Sequence, residues 1–412
     1  MNHTQKHLVV VGGGAAGFFC AVNAARLVPG LKVTIVEKSS KVLQKVKVSG
    51  GGRCNTTHLS DSISEMSKCY PRGEKFVKKA FHRFFVKDTI EWFAARGVDL
   101  KAEEDGRMFP TTNDSQTIID CLLREANRYK VELVMQFPVQ LLEPHAEGFT
   151  IHSTGDRKME ADFVCIATGG FPKAEMFDWI TKPTGHSIAL PIPSLFTFNI
   201  PKHPITSLMG VATKASVKIA GLKFESTGAL LLTHWGLSGP AVLRLSAFAA
   251  RELHEKNYEY TVIINWLPDY NENSLRAKML HHRETKGTQK VLNTEWISLP
   301  ARLWAFLLQE SGIDPEARWA TLPAVLQNQL IKKLCGYELH AHGKTTFKDE
   351  FVTAGGIDTS EVGTDTMASK KIPHLFFAGE ILNVDGITGG YNFQHAWTSG
   401  FAAANGIEQA FI

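Results

Sequence analysis

The sequence predicts an α/β fold: a parallel-sheet domain drawn from both ends of the chain and interrupted by one long insertion. Three observations carry this. A short apolar run, Leu8 to Val11, passes straight into a glycine turn and a helical stretch. A second, FVCIATGG at 163–170, ends in another glycine turn. A third, KIPHLFFAGE at 371–380, precedes a helix expected from about Tyr391 to Gly406. Short unbroken apolar runs suit strands covered on both faces, the condition of a parallel sheet.

After GGGAAG at 12–17, FFCAVNAARLV reads as a helix rich in small residues that stops at Pro29-Gly30. Leu31 to Val36 alternates as a strand and Glu37 closes it, which completes a βαβ unit. One helix is predicted over 74–97, with Phe81, Phe84, Phe85, Ile90, Trp92 and Phe93 as anchors and Gly97 as its stop. A second runs from Ser115 to about Tyr129, and strand-like pieces follow at 131–143 and 149–153. The proline-rich stretch 191–210 opens a β-rich segment, supported by ASVKIAGLKF and YEYTVIINW. From about 273 to 335 the pattern turns helical, with Pro300 and Pro323 opening helices that Gly312 and Gly336 close. These shifts assign 1–191 and 343–412 to one discontinuous domain, 192–272 with 336–342 to a β-rich insert, and 273–335 to a helical insert.

Length and composition bound the class. The 412 residues suffice for two or three domains at roughly 150 residues each. With 44% hydrophobic and 21% charged residues, disorder is excluded as the dominant state. The 45 Lys+Arg against 41 Asp+Glu leave a net +4, and no basic stripe is visible, so nucleic acid is not expected as a partner. No apolar run approaches the ~18 residues of a membrane span. The start, MNHTQKHLVVVGGG, lacks the layout of a secretory leader. A cytoplasmic protein is the expectation. Cys20, Cys54, Cys69, Cys121, Cys165 and Cys335 are scattered without a CxxC, so they read as reduced thiols, and no metal site is expected.

The chemistry starts at Gly12, Gly14 and Gly17, a G-x-G-x-x-G between strand and helix. The first permits the tight turn, the second lets backbone approach a pyrophosphate, and the third lets helix pack on sheet. The helix start, at Ala15 and Ala16, offers N–H groups and a positive dipole end to phosphates. Glu37, 25 residues after Gly12, can accept ribose hydroxyls, with Lys38 beside it. Such a site holds NAD or FAD. Three later segments favour FAD: SGGGRCN at 49–55, ATGG at 167–170, and a second glycine-rich helix start in TGGYNFQ at 388–394. A positive helix end near a flavin would stabilise its anionic reduced form. No second GxGxxG marks a separate NAD(P)H domain, so NAD(P)H would act as a transient donor in the substrate cleft.

Together with GRMFP (106–110), THWGLSGP (233–240), VTAGGID (352–358) and AGEILNVDGITGGYNFQHAWTSG (378–400), these segments resemble the YhiN-like flavoproteins. These are also called the BaiN/RdsA family of NAD(P)/FAD-dependent oxidoreductases, within the two-dinucleotide-binding-domain flavoproteins. The resemblance covers nearly the whole chain. It implies a Rossmann-like FAD-binding domain with an inserted β-barrel-like domain and a small helical domain. It implies that FAD is lined near the start by Gly12, Gly14, Ala15, Ala16, Gly17, Glu37 and Lys38. Gly51, Gly52, Arg53, Cys54 and Asn55 would follow, with Val139 meeting the adenine through its backbone. Ala167, Thr168 and Gly169 would come next, then Gly379, Glu380, Gly389, Gly390, Tyr391, Asn392 and Phe393. The chain departs from the family pattern at FPKAEMFDWITKPTG after ATGG, and at Asn383 and His395, where Asp and Trp are more usual.

Several residues carry two readings. Cys54 is either a reactive thiol beside the flavin or a small packed residue, and packing is preferred. Arg107 could anchor an anion or form a structural ion pair. His234 could face substrate or cap a turn. Thr353 and His395 are further candidates to touch substrate, and Tyr391 is the foremost candidate for proton donor. His340 and His342 share a strand face without a third ligand. The function expected is an FAD-dependent oxidoreductase passing hydride from NAD(P)H to a small unsaturated or carbonyl substrate. An amine oxidase using oxygen is one alternative. A flavin-bound RNA- or protein-interaction module is the other. The oligomeric state is not readable from the sequence.

Overall fold

The structure, a computed structural model, describes residues 5–345 and 352–412. The first four residues of the start and the opening of the closing segment lie outside them. The chain divides into two compact units, 1–194 with 348–412, and 195–347.

The first unit is organised by a five-stranded parallel sheet. Its order is Leu375–Phe377, Phe163–Ile166, His7–Val11, Lys32–Val36, Glu132–Val134. All four strand pairs are parallel. The predicted runs are buried because helices cover them. The helix Ala15–Leu27 and the closing helix Tyr391–Phe411 lie against one another. A Cβ at Gly400 would sit 2.7 Å from the Ala16 carbonyl oxygen, so only glycine allows this approach. Buried Ala402, Ala403 and Ala404 continue the small-residue face.

The helix expected over 74–97 is two helices, Glu74–Ala80 and Val86–Ala94. The break has a local cause. The Asp88 carboxylate accepts the Phe85 N–H at 2.7 Å and Thr89 Oγ1 donates to the Phe85 carbonyl at 3.1 Å, which starts a new helix at that point. The shorter first helix and the turn that follows it expose Lys75, Lys78, Lys79, His82 and Arg83, a basic stripe that the linear sequence conceals.

The second unit holds a seven-stranded antiparallel sheet. Its terminal strands, Tyr337–His342 and Lys344–Thr345, are separated only by Gly343, so the hydrogen-bond ladder returns to the stretch where it began. The helical segment is not a separate core. Leu303, Leu307, Trp319, Leu330 and Leu334 share one apolar cluster with the strand residues Phe198, Val217, Leu232 and Ile264. His340 and His342 lie on the exposed face of their strand. Among the described residues there is no group of three metal-ligating side chains and no helix long and apolar enough to cross a membrane. All six cysteines are free thiols.

Candidate active site

The first βαβ crossover builds a cradle by exclusion. Gly12 has φ 116°, and a Cβ there would lie 2.5 Å from the Ala167 carbonyl oxygen. A Cβ at Gly17 would lie 2.0 Å from the Gly12 carbonyl oxygen. At Gly14 the space is open, and the helix it precedes has no side-chain cap. The first-turn N–H groups, with Ala15 and Ala16, therefore remain available to an anion. Glu37 ends the second strand. Its Oε2 accepts the Gly13 N–H and its Oε1 the Ser39 N–H, both at 2.9 Å, which leaves acceptor capacity for vicinal hydroxyls. Lys38 beside it is exposed. The Phe137 N–H bonds to the Glu37 carbonyl at 2.8 Å, which brings the start of the strand Val139–His145 close to this acid.

SGGGRCN forms a tight backbone turn. Gly50, Gly51 and Gly52 take φ of 58°, 69° and 85°, and beyond Gly51 and Gly52 there is only open space. Arg53 lies 2.5 Å from Glu103 Oε1, with its guanidinium 3.9 Å from the centre of the Phe109 ring. Glu103 also receives Arg107 at 3.0 Å, and Arg107 Nε donates to Asp105 at 2.7 Å. Both arginines are thus tied into one carboxylate cluster, the structural alternative for Arg107. Cys54 is fully buried, and burial pushes its thiol up to about 11, which favours the packing role. With its amide turned to suit both neighbours, Asn55 donates to the Thr57 carbonyl at 3.1 Å and accepts the Gly390 N–H at 3.0 Å.

The other side of the cradle comes from the C-terminal segment. A Cβ at Gly379 would meet the Ala16 side chain at 2.8 Å, so the AGE turn sits against the start of the N-terminal helix. Glu380 accepts the Thr353 N–H at 2.9 Å through one oxygen and Lys45 at 2.7 Å through the other. The Ala167 N–H bonds to the Val11 carbonyl at 2.8 Å, which fixes Thr168 and Gly169 across from Gly12. Asn392 clamps the preceding loop, accepting the Gly386 N–H at 2.8 Å and donating to its carbonyl at 2.9 Å. Gly390 caps the closing helix with φ 97°, and a Cβ there would lie 2.4 Å from the Thr57 carbonyl. Phe393 stacks on Trp397.

Tyr391, the first residue of that helix, is nearly buried. Its ring stacks on His58 at 4.6 Å and 22°, and its carbonyl accepts the Tyr70 hydroxyl at 2.6 Å. His58 Nδ1 lies 3.0 Å from the Gly389 carbonyl. His58, Tyr70, Lys45 and the buried pair Arg72–Asp385 are site residues that the sequence reading missed. Arg72 Nε donates to Asp385 Oδ1 at 2.6 Å, its Nη2 donates to Oδ2, and the Ser194 hydroxyl donates to Oδ2 at 2.9 Å. Only the long-range pairing reveals them. Their one sequence signal was proximity to SGGGRCN and to the 386–390 glycines.

Three buried polar atoms on this side have no partner among the described residues: Thr353 Oγ1, Asn383 Oδ1 and His395 Nδ1. His395 Nε2 is 3.3 Å from the Gly379 carbonyl. Burial drives its imidazole down to about 4, so it is neutral in the fold and its Nδ1 is an acceptor awaiting a donor. Because the folded value lies below the ordinary 6.5, neutral His395 supports the fold fully above pH 6.5. That support, up to about 3 kcal/mol, is lost as pH falls toward 4. Thermal melts between pH 7 and pH 4 are expected to show this slope, and His395→Gln is expected to flatten it. His234 belongs to the second unit. It stands edge-on to Trp235 at 4.1 Å and lines a surface cleft of about 220 Å3 with Lys202 and His342.

Open glycine cradles, a bare helix start, a terminal acid and orphaned buried acceptors fit an elongated flavin nucleotide. The class they define is a Rossmann-type flavoprotein oxidoreductase. The chain matches the family model of the HI0933-like protein Rossmann domain over residues 6–406 and belongs to that family, in agreement with the YhiN-like resemblance. It is 30% identical over 409 residues to a 3-dehydro-bile acid delta(4,6)-reductase of Clostridium scindens, covering 97% of this chain and 98% of that one. It is 32% identical over 413 residues to a ribosomal RNA dihydrouridine synthase of Escherichia coli, covering 97% of each. Among solved structures, the 3-ketosteroid delta1-dehydrogenase of Sterolibacterium denitrificans superposes with a TM-score of 0.54 at 14% identity, covering 98% of this chain and 99% of that one. That likeness concerns the fold.

Proposed function

We propose that this protein is an FAD-dependent reductase that uses NAD(P)H to saturate a carbon–carbon double bond conjugated to a carbonyl. The observation that carries the proposal is the Tyr391–His58 stack at a glycine-capped helix start, beside orphaned Thr353, Asn383 and His395 atoms. Two relatives lend support. One is named for reducing a steroid-type unsaturation and the other for making dihydrouridine, in which the ring double bond beside a carbonyl is saturated.

FAD held by the Gly12–Gly17 turn, Glu37 and the 388–393 segment would supply two-electron, hydride-accepting chemistry. The chain's own groups do the rest. The helix beginning at Tyr391 presents a positive dipole end to charge that develops on the substrate carbonyl. The Tyr391 phenol delivers the proton to the carbon next to that carbonyl, with its ring held by His58 and its backbone by Tyr70. Arg72 and Asp385 fix the loop that carries these groups. Buried Ile381, Leu382 and Phe377 exclude water behind the site. Anaerobic addition of NADH or NADPH is expected to bleach the visible flavin band. A conjugated enone or a uridine-containing RNA is then expected to restore it. A flavin that neither nucleotide reduces would defeat the proposal, as would peroxide release with simple amines alone.

A further inference from the structure

The helix Glu74–Ala80 springs directly from the candidate site. Arg72 holds Asp385, and a Cβ on Gly73 would press into Val384 at 2.6 Å. Its buried stripe is Phe76, Val77 and Ala80, continued by Phe81 and Phe84. The winding continues beyond the helix, since the Phe81 N–H bonds to the Val77 carbonyl at 2.8 Å and the Arg83 N–H to the Ala80 carbonyl at 2.9 Å. Lys75, Lys78, Lys79, His82 and Arg83 therefore fall on the opposite stripe, spaced i, i+3, i+4, i+7 and i+8, and all are exposed. No acid lies between residues 75 and 87, and the whole chain carries only a net +4. Among the described residues, Asp365 is the acid whose ion pair reaches the stripe, 3.2 Å from Arg83. Lys79, His82 and Arg83 with Thr364 and Asp365 line a surface cleft of about 410 Å3.

We propose that this stripe docks the phosphodiester backbone of an RNA whose uracil is the double bond reduced at the adjoining site. The proposal rests on the reductase reading above. A row of fixed cations at helical spacing matches a chain of phosphates. A small apolar substrate makes no use of it. From Gly73 to Lys79 the helix rises only about 9 Å, so phosphates held there leave a neighbouring base within reach of Tyr391 once it leaves its stack.

The test is binding of a fluorescein-labelled, uridine-containing RNA hairpin to the flavin-loaded protein, followed by anisotropy across salt. For wild type, log Kd is expected to change with log salt with a slope magnitude of about 3–4, the signature of four neutralised phosphates. K75Q/K78Q/K79Q is expected to weaken binding more than about tenfold and to cut that slope by about 2–3. Flavin content, bleaching by NAD(P)H and turnover of a free enone stay at wild-type levels in this variant. Unchanged RNA affinity and slope overturn the docking proposal and leave the reductase reading standing. Loss of RNA binding in the variant, combined with a wild-type flavin that NAD(P)H cannot reduce, supports phosphate docking on the stripe but overturns the reductase reading and, with it, uracil as the reduced group. Binding to phosphatidylglycerol vesicles with none to RNA overturns the docking in favour of a lipid surface.

Discussion

Asp385→Ala is expected to lower stability by about 3–5 kcal/mol and to strip most of the bound flavin. Asp385 is fully buried and Arg72 nearly so, and their ion pair, shared with the Ser194 hydroxyl, compensates both for leaving water. Burial raises the Asp385 carboxyl above its ordinary range, while Arg72 and the Ser194 hydroxyl hold it down. Removing the acid leaves a buried guanidinium facing an alanine. The cost lands on the active-site loop, because Asp385 precedes Gly386–Gly390 and Arg72 precedes Gly73. Thermal melts and the flavin-to-protein absorbance ratio check this. The double change Arg72→Met with Asp385→Leu is expected to recover much of the stability, since a packed apolar pair has no charge to desolvate. It is not expected to recover activity. A melting temperature for Asp385→Ala equal to wild type would show that the pair is not holding the loop.

Gly17→Val is the second large effect. The added Cβ would lie 2.0 Å from the Gly12 carbonyl oxygen, and the rest of the side chain has nowhere to go between the first helix and the first strand. Helix and strand must part, and the turn that faces the pyrophosphate opens with them. A loss above about 3 kcal/mol is expected, divided between fold stability and cofactor affinity. Purified variant is expected to be colourless or insoluble, and added FAD is not expected to restore the visible band. Gly14→Ala is the matched control. Its Cβ meets nothing within 4 Å, so the fold is expected to survive while phosphate approach is partly blocked. A yellow, stable Gly17→Val protein would remove the close-packing role assigned to this glycine.

The features legible in the sequence are those set by spacing along the chain. Gly12, Gly14, Gly17 and Glu37 belong to one local crossover, so their order alone carries the geometry. The glycines at 389 and 390 announce a turn before a helix for the same reason. The rest depends on partners far apart. Arg72 meets Asp385 across 313 positions, and His58 meets Tyr391 only because the strand Thr57–His58 lies beside the start of the closing helix. The basic stripe is hidden differently. Its residues are plain in the sequence, but they share one face only if the helix begins at Glu74 and its winding persists to Arg83. The expected long helix over 74–97 blurred that register with the second helix. The helical insert looked like a domain because its pattern changes sharply at residue 273. Its leucines are nonetheless the other half of the sheet's apolar cluster.

The strand His7–Val11 lies between partners at 163–166 and 32–36, and the sheet is completed at 375–377 and covered by the helix from Tyr391. On the ribosome, the strand His7–Val11 is made before its sheet is completed at 163–166 and 375–377 and must wait for both. During that wait the insertion at 195–347, a compact unit by itself, is free to fold. The glycine cradle is therefore assembled after the insertion. The cradle is incomplete, and Phe18, Phe19 and Val22 lack part of their cover, until the helix Tyr391–Phe411 has been made. Flavin supplied once that helix is in place, more than before it, is expected to set the yield of active protein.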